Sequence, residues 1–363
     1  MRVLYDYQIF SMQKFGGISR YFYELIRTLP PEVSYKLPLI VSNNHYIKNK
    51  DIAEHCQLFN NNSFRGQYRA MQTINQIYSI GKLIQKEYDI FHPTYYSPYF
   101  MKYLGDKPYV ITCYDLIDER FASENPMRKF DSEKFDIRKK LLKNATKVIA
   151  ISKNTKSDII EIYKIPENKI KVIYLASSFT MKNQEALIPD DYILFVGSRL
   201  FYKNFIFFLR AIADSLIKNP KIKLICAGGG KFTNDEYEVI NHFNLSQQVL
   251  QVAANDEEIS NLYSHAMFFV FPSLYEGFGI PILESFACGC PAVLSNKSSL
   301  PELGGDAAIY FDPNNRDSIA DAVNRALSSE ELRKQMKHKG FIQQKKFSWN
   351  KTVEETINLY RSI

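Results

Sequence analysis

No Asp-x-Asp occurs in the 363 residues, which excludes the usual paired-aspartate site for a metal-bound diphosphate. Cysteine is scarce and scattered: Cys56, Cys113, Cys226, Cys288 and Cys290, an odd number. Cys288-Gly289-Cys290 has one intervening residue, and no second Cys or His pair accompanies it at zinc spacing. Free buried thiols in a reducing compartment are the expectation. Long apolar runs are also missing. The strongest, 205–213 (broken by Arg210) and 266–271, fall far short of the roughly 20 residues of a membrane-spanning helix. Residues 1–5 run straight into Asp6 without an apolar segment or a small-residue cleavage site, so a cytoplasmic location is expected. No G-x-G-x-x-G follows the first expected strand, which argues against a dinucleotide oxidoreductase. Ala227-Gly228-Gly229-Gly230-Lys231-Phe232 lacks the first Gly of a P-loop and has Phe232 where Ser or Thr would bind magnesium. It reads as a turn after a strand.

What is present is material for two soluble domains. The length exceeds one ordinary core, and 45% hydrophobic against 23% charged residues leaves no case for global disorder. Charge is uneven: residues 1–180 carry 27 Lys+Arg against 18 Asp+Glu, while the rest carry 19 against 21. A basic half of this kind suits an anionic membrane surface or a phosphorylated substrate, or is simply solvated. Basic residues over 128–147, interleaved with Phe130, Phe135, Leu141 and Leu142, form the candidate membrane-surface helix.

Apolar runs of strand length at 2–5, 89–92, 109–112, 147–151 and 171–174 alternate with amphipathic stretches, the first of them a helix at 18–29 after Gly16-Gly17. The polar, patternless segment 177–190 reads as a linker. The alternation restarts with strands at 192–196, 223–227, 249–253 and 267–271, and with helices at 204–217, from about 235, and at 281–287. Strand–helix alternation with wholly apolar strands predicts parallel sheets covered on both faces. Two such units in sequence predict two Rossmann-like domains, with ligands at the carboxyl ends of the strands. The expected boundaries are 1–180, joined by a terminal helix at 350–363, and 190–346. Trp349, the single Trp, is expected to anchor that terminal segment.

The chemistry concentrates in Phe271-Pro272-Ser273-Leu274-Tyr275-Glu276-Gly277-Phe278-Gly279-Ile280-Pro281-Ile282-Leu283-Glu284. A strand ends, a glycine loop follows, and Pro281 suits the first turn of a helix. Backbone N–H groups there point at an anion, helped by the helix dipole. Glu276 and Glu284 border the same ligand, and carboxylates accept strongly from sugar and ribose hydroxyls. Carboxylates also repel phosphate, so cations are needed. Gly197-Ser198-Arg199 and Lys203-Asn204 supply them at another strand end.

These residues carry a resemblance. Glu276 and Glu284 stand in the E-x7-E spacing of retaining GT-B glycosyltransferases of family GT4. The strings Ser273 to Gly279 and Glu284 to Val293 are similar to that family nearly word for word. Ser298-Ser299-Leu300-Pro301-Glu302, Gly305-Asp306-Ala307-Ala308, the Gly16-Gly17-Ile18 loop, and Ala150-Ile151-Ser152 with Asp158 extend the likeness over both halves. The resemblance implies that Glu284 binds the donor ribose and Glu276 contacts the transferred sugar. It implies that backbone at Phe278, Gly279 and Ile280 holds sugar and diphosphate, and that Arg199 and Lys203 clamp the diphosphate as it leaves. Gly16 and Gly17 would approach the phosphate from the other domain, and Ala253 and Ala254 would lie near the nucleobase.

One departure stands out. Many relatives have a His-Asp pair where this chain has Tyr114-Asp115. Tyr is a poor base at neutral pH, so Tyr114 is expected to position the donor sugar only. His92, at another strand end, has two open readings: contact with the acceptor, or a hydrogen-bonded structural residue. No carboxylate nucleophile is identifiable, and front-face attack is what family analogy implies. The resemblance points to a hexosyl donor such as GDP-mannose or a UDP-hexose, and to a glycan or lipid-linked glycan acceptor in O-antigen or capsule synthesis. No cofactor, no metal and no nucleic acid are expected; the location is cytoplasmic, with peripheral contact to the inner membrane face. Two alternatives stay open: an epimerase or phosphorylase of the same architecture, and a non-catalytic nucleotide-sugar binding protein.

Overall fold

The computed structural model describes residues 1–57, 66–121, 131–181, 184–199 and 201–363. The chain divides into two compact units, Met1–Leu175 with Trp349–Ile363, and Ala176–Ser348.

The first unit is built on six short parallel strands: β1 (Arg2–Tyr5), β2 (Ser34–Lys36), β3 (Ile90–His92), β4 (Val110–Cys113), β5 (Lys147–Ala150) and β6 (Ile170–Val172). They pair in the orders β2-β1-β3 and β4-β5-β6. A parallel bridge from Phe91 to Tyr109 joins the two sets. Strands such as Val-Ile-Thr-Cys in β4 are buried along their whole length, as parallel strands covered on both faces must be. Leu4, Phe91, Ile111 and Val148 form the core with Leu83, Phe100, Leu141 and Ile159. The terminal helix Trp349–Arg361 belongs to this unit. Its Trp349, Val353, Ile357 and Tyr360 are buried, and Thr352 donates to the Tyr174 carbonyl at 2.6 Å.

Several elements here were not expected from the pattern, among them β2, the helices Gln8–Met12 and Lys153–Tyr163, and the 19-residue helix Gln67–Gln85. A three-residue strand gives too short a window for periodicity. The basic stretch 128–147 needs correcting as a membrane face. Residues 128–130 lie outside the described residues, and the remainder forms the helix Ser132–Asn144 and leads into β5. Leu141 and Leu142 of that helix are buried in the core, and Phe135 packs on Tyr163 with centroids 5.0 Å apart. Its apolar residues are occupied inside the unit.

The second unit carries β7 (Tyr192–Val196), β8 (Lys223–Ala227), β9 (Val249–Val252), β10 (Phe268–Phe271), β11 (Ala292–Ser295) and β12 (Ala308–Phe311) in one parallel sheet. The order is β12-β11-β10-β7-β8-β9. The chain steps outward from β7 through β8 to β9, then returns to β10 on the other side of β7. This is the doubly wound order, and it opens a crevice at the carboxyl ends of β7 and β10, where the direction of winding reverses. Ile193, Phe195, Leu224 and Val270 in the sheet pack against Phe208, Leu209, Ile212 and Val323 of the helices Phe205–Lys218 and Arg316–Ser328.

Candidate active site

The crevice between β7 and β10 brings two loops together. The loop after β7 turns through a short 3-10 helix, Phe201–Lys203. The loop after β10 runs to the helix Ile280–Ala287. The Leu274 N–H donates to the Tyr202 carbonyl at 2.8 Å and ties one loop to the other. Lys203 then reaches across: its Nζ lies 2.6 Å from Glu276 Oε1, with the two side chains 13% and 10% exposed. The Lys203 ammonium also sits 4.9 Å from the Phe271 ring centroid and 5.2 Å from that of Tyr202. An ion pair shielded by rings but still touching water acts over a lower effective dielectric than a surface pair. The pair lies at the strand ends, where a ligand of this topology binds.

The backbone around Glu276 is pinned by two serines that the sequence pattern had assigned no role. The Glu276 N–H donates to Ser298 Oγ at 2.9 Å. The Ser299 hydroxyl points at the carbonyls of Glu276 and Phe278, at 2.9 and 2.6 Å. Ser299 stands at the N-cap of the helix Leu300–Gly304 without capping it; its hydroxyl serves the loop instead. The Phe278 side chain is buried. Gly279 begins the helix at φ +111°, and a Cβ there would stand 3.1 Å from a Leu300 methyl. The N–H groups of Gly279 and Ile280 belong to a helix start, where no intrahelical acceptor exists. Glu284 follows in the same helix and is buried. Burial first, with this carboxylate one turn away adding to it, pushes the Cys288 thiol up to about 11. Cys288 is therefore a neutral thiol at neutral pH.

Arg199 is not part of this group. Its guanidinium is engaged elsewhere: Nε donates to Glu236 at 2.8 Å, Nη1 to the Gly228 carbonyl at 3.1 Å, and Nη2 to the carbonyls of Gly230 and Lys231 at 2.9 Å each. Arg199 and Glu236 side chains are each 3% exposed, and the Phe232 ring lies 4.7 Å from the guanidinium. Four donors of the guanidinium expected in the diphosphate clamp thus tie the loop after β7 to the loop after β8. Glu236 also accepts from the Thr233 N–H within a capping box. Its place was legible as Thr-x-x-Glu, but its pairing with Arg199 was not. Ala253 and Ala254 follow β9, two strands away from β7 in the same sheet.

The remaining expected residues lie in the first unit. Gly16 and Gly17 begin the helix Gly17–Arg27. A Cβ on Gly16 would meet Gln13 Oε1 at 2.4 Å, the oxygen that accepts the Ser19 N–H at 3.1 Å. Tyr114 follows β4 and donates to the Thr94 carbonyl at 3.2 Å. Burial raises its hydroxyl well above the ordinary range, so it stays protonated. His92 is wholly buried, with Nδ1 2.5 Å from the Tyr360 hydroxyl and Nε2 2.9 Å from Thr112 Oγ1. Burial lowers its pKa to about 3. Of its two readings the structure selects the structural one: both nitrogens are taken, and no face is left for an acceptor.

Two Rossmann-like units with parallel sheets define a GT-B fold, the α/β architecture expected. Anabaena HepE, solved in complex with UDP and glucose, has the same fold, with a TM-score of 0.77 at 15% identity over 100% of both chains. Residues 15–176 match the family described as Glycosyltransferase Family 4, and residues 189–343 match Glycosyl transferases group 1. The chain belongs to this family of glycosyltransferases. It is 30% identical to the O-antigen chain mannosyltransferase B of Escherichia coli, over 61% of this chain and 62% of that protein. It is 27% identical to the N-acetylgalactosamine-N,N'-diacetylbacillosaminyl-diphospho-undecaprenol 4-alpha-N-acetylgalactosaminyltransferase of Campylobacter jejuni, over 60% of each. The chain thus spans about three fifths of the length of these relatives.

Proposed function

We propose that this chain is a retaining, metal-independent glycosyltransferase of surface-polysaccharide synthesis, moving a hexosyl group from a nucleotide sugar to a lipid-linked glycan. The observation that carries the reading is the Lys203–Glu276 pair at the switch point of the second unit's sheet. A diphosphate laid over the start of the helix Ile280–Ala287 meets the N–H groups of Gly279 and Ile280 and the Lys203 ammonium. That cation stabilises the charge that grows on the leaving diphosphate, the role a divalent ion takes elsewhere. Glu276 accepts from hydroxyls of the transferred sugar, and Glu284 from the ribose.

Retention follows from attack on the leaving-group face. The acceptor oxygen forms the new bond to the anomeric carbon as the bond to the diphosphate oxygen breaks. The acceptor's proton passes to the departing phosphate oxygen. GDP-mannose is the first donor to try, on the strength of the O-antigen mannosyltransferase relative, and a UDP-hexose the second, after HepE. A diphospho-undecaprenol acceptor is suggested by the Campylobacter relative. Such a lipid brings the enzyme to the cytoplasmic membrane face. No helix among the described residues is long and apolar enough to cross a membrane.

The test is a thermal-shift panel of GDP-, UDP-, dTDP- and CMP-sugars on the wild type and Glu284→Ala. One nucleotide class should raise Tm, and the rise should shrink in the variant. Lys203→Ala should bind the same donor but lower the transfer rate by roughly 100- to 1,000-fold, the range for loss of one charge-stabilising donor. A rise in Tm that Glu284→Ala leaves intact would put the donor elsewhere.

A further inference from the structure

The helix Gln67–Gln85 is patterned inside out. Its inward row is Gln67, Met71, Asn75, Ser79 and Leu83, and three of these five are polar. Asn75 Oδ1 accepts from the N–H groups of Ile40 and Val41, at 2.8 and 3.0 Å. Its Nδ2 donates to the Val41 carbonyl and to Ser11 Oγ, at 2.7 and 2.8 Å. Ser79 Oγ bonds the Tyr99 hydroxyl at 2.7 Å. Hydrogen bonds from Asn75 and Ser79 thus tie the helix to its unit beside the buried Met71 and Leu83.

Its opposite side is apolar. Ile74, Ile77, Tyr78 and Ile84 are 39%, 67%, 40% and 60% exposed. At roughly 3.6 residues per turn Ile77 and Ile84 stand opposite the buried row, with Ile74 beside them and Tyr78 at the flank. A surface helix ordinarily presents its polar side to water and its apolar stripe to the core. A contiguous stripe turned the other way marks a face that meets an apolar partner.

We propose that this face docks on an anionic lipid surface. Segment 67–85 contains no Asp or Glu, and its charged residues are Arg69 and Lys82. The nearest carboxylate along the chain, Glu87, is paired with Lys36 at 2.8 Å. Lys82 stands 5.5 Å from the Tyr78 ring centroid, so a cation and an amphipathic ring share the edge of the stripe. An apolar stripe flanked by Lys, Arg and Tyr fits the boundary between acyl chains and headgroups. A second copy of the chain is the poorer occupant: two such helices would bring together cations with no carboxylate to meet them. The inference deepens the proposed membrane contact and rests on that reading for its purpose. It moves the contact from the basic stretch at 128–147 to this helix.

The experiment uses the full chain and vesicles, with no donor or acceptor, so that its failure is distinct from failure of the proposed transferase. Phosphatidylglycerol-containing vesicles should retain the wild type at low salt, and phosphatidylcholine vesicles should retain much less. Salt should weaken the retention through screening. Ile77→Glu with Ile84→Glu should lower retention at least tenfold at unchanged circular dichroism. Arg69→Glu with Lys82→Glu should lower it while leaving the stripe intact. Ile342→Glu, an exposed isoleucine of the other unit (52%), should change nothing. The proposal is overturned if anionic vesicles do not retain the wild type, or if the Ile77/Ile84 variant is retained equally. A dimer in gel filtration that this variant splits, without vesicle binding, would assign the face to self-association instead.

Discussion

Arg199 and Lys203 lie four residues apart and carry the same charge, yet they do different work. Lys203 meets one carboxylate in the crevice, at 2.6 Å. Arg199 is locked in a buried pair with Glu236 and to three carbonyls of the neighbouring loop. Breaking a buried pair from one side strands an uncompensated charge, at a cost of about 3–5 kcal/mol. Glu236→Gln should therefore lower Tm by roughly 10 °C in a unit of this size. Its effect on donor affinity should come through displacement of the loop after β8. Differential scanning calorimetry and a donor titration read the two separately. If Glu236→Gln keeps the wild-type Tm while Arg199→Lys abolishes donor binding, Arg199 touches the diphosphate after all. The residue types alone could not have separated the two cations, because the difference lies in which carboxylate each one finds.

Among the elements, the loop between β10 and the helix Ile280–Ala287 depends most on backbone conformation. Gly279 sits at φ +111°, a region L-residues rarely adopt, and a Cβ there would meet the side chains of Leu300 and Ile282 at 3.1 and 3.3 Å. Gly279→Ala should cost about 1–3 kcal/mol in strain, concentrated at the helix start. The expected outcome is a donor Kd raised tenfold or more, with a smaller change in Tm. Titration calorimetry checks the first and unfolding the second; an unchanged Kd would mean that this turn does not contact the donor. The strand–loop–helix order of this element was legible, because a wholly apolar strand, two glycines and Pro281 each carry a local meaning. The serines that pin it were quoted as part of the resemblance but without a role. They come from a segment some twenty residues on, and a hydroxyl-to-carbonyl bond leaves no periodic trace. The helix Gln67–Gln85 went unread for a different reason: its inner row is more than half polar and its outer row apolar, so the usual rule of burial points the wrong way.

For the whole molecule, His92 links the stability of the first unit to pH. In the folded unit it is neutral with a pKa of about 3, against 6.5 when free. Between those values the unfolded chain binds the extra proton, so the contribution to stability is present above about pH 6.5 and declines as pH falls towards 3. The slope is about 1.4 kcal/mol per pH unit. Asp6 acts with the opposite sign: burial raises its carboxyl, so the folded unit holds that proton more tightly. Comparing wild type with His92→Asn by urea unfolding across this range isolates the histidine; equal slopes in both would mean that His92 titrates normally. The sequence by itself determined the fold class, since wholly apolar strands alternating with helices have few other ways to bury their faces. It determined as well the family and the loop that carries Glu276 and Glu284, because both are written in short contiguous strings. Only the tertiary structure decided which cation pairs with Glu276, that His92 is sealed behind Tyr360 and Thr112, and which helix is left with an apolar face outward. Each of those depends on partners far apart in the chain, and contacts of that kind arise only when the sheet order brings them together.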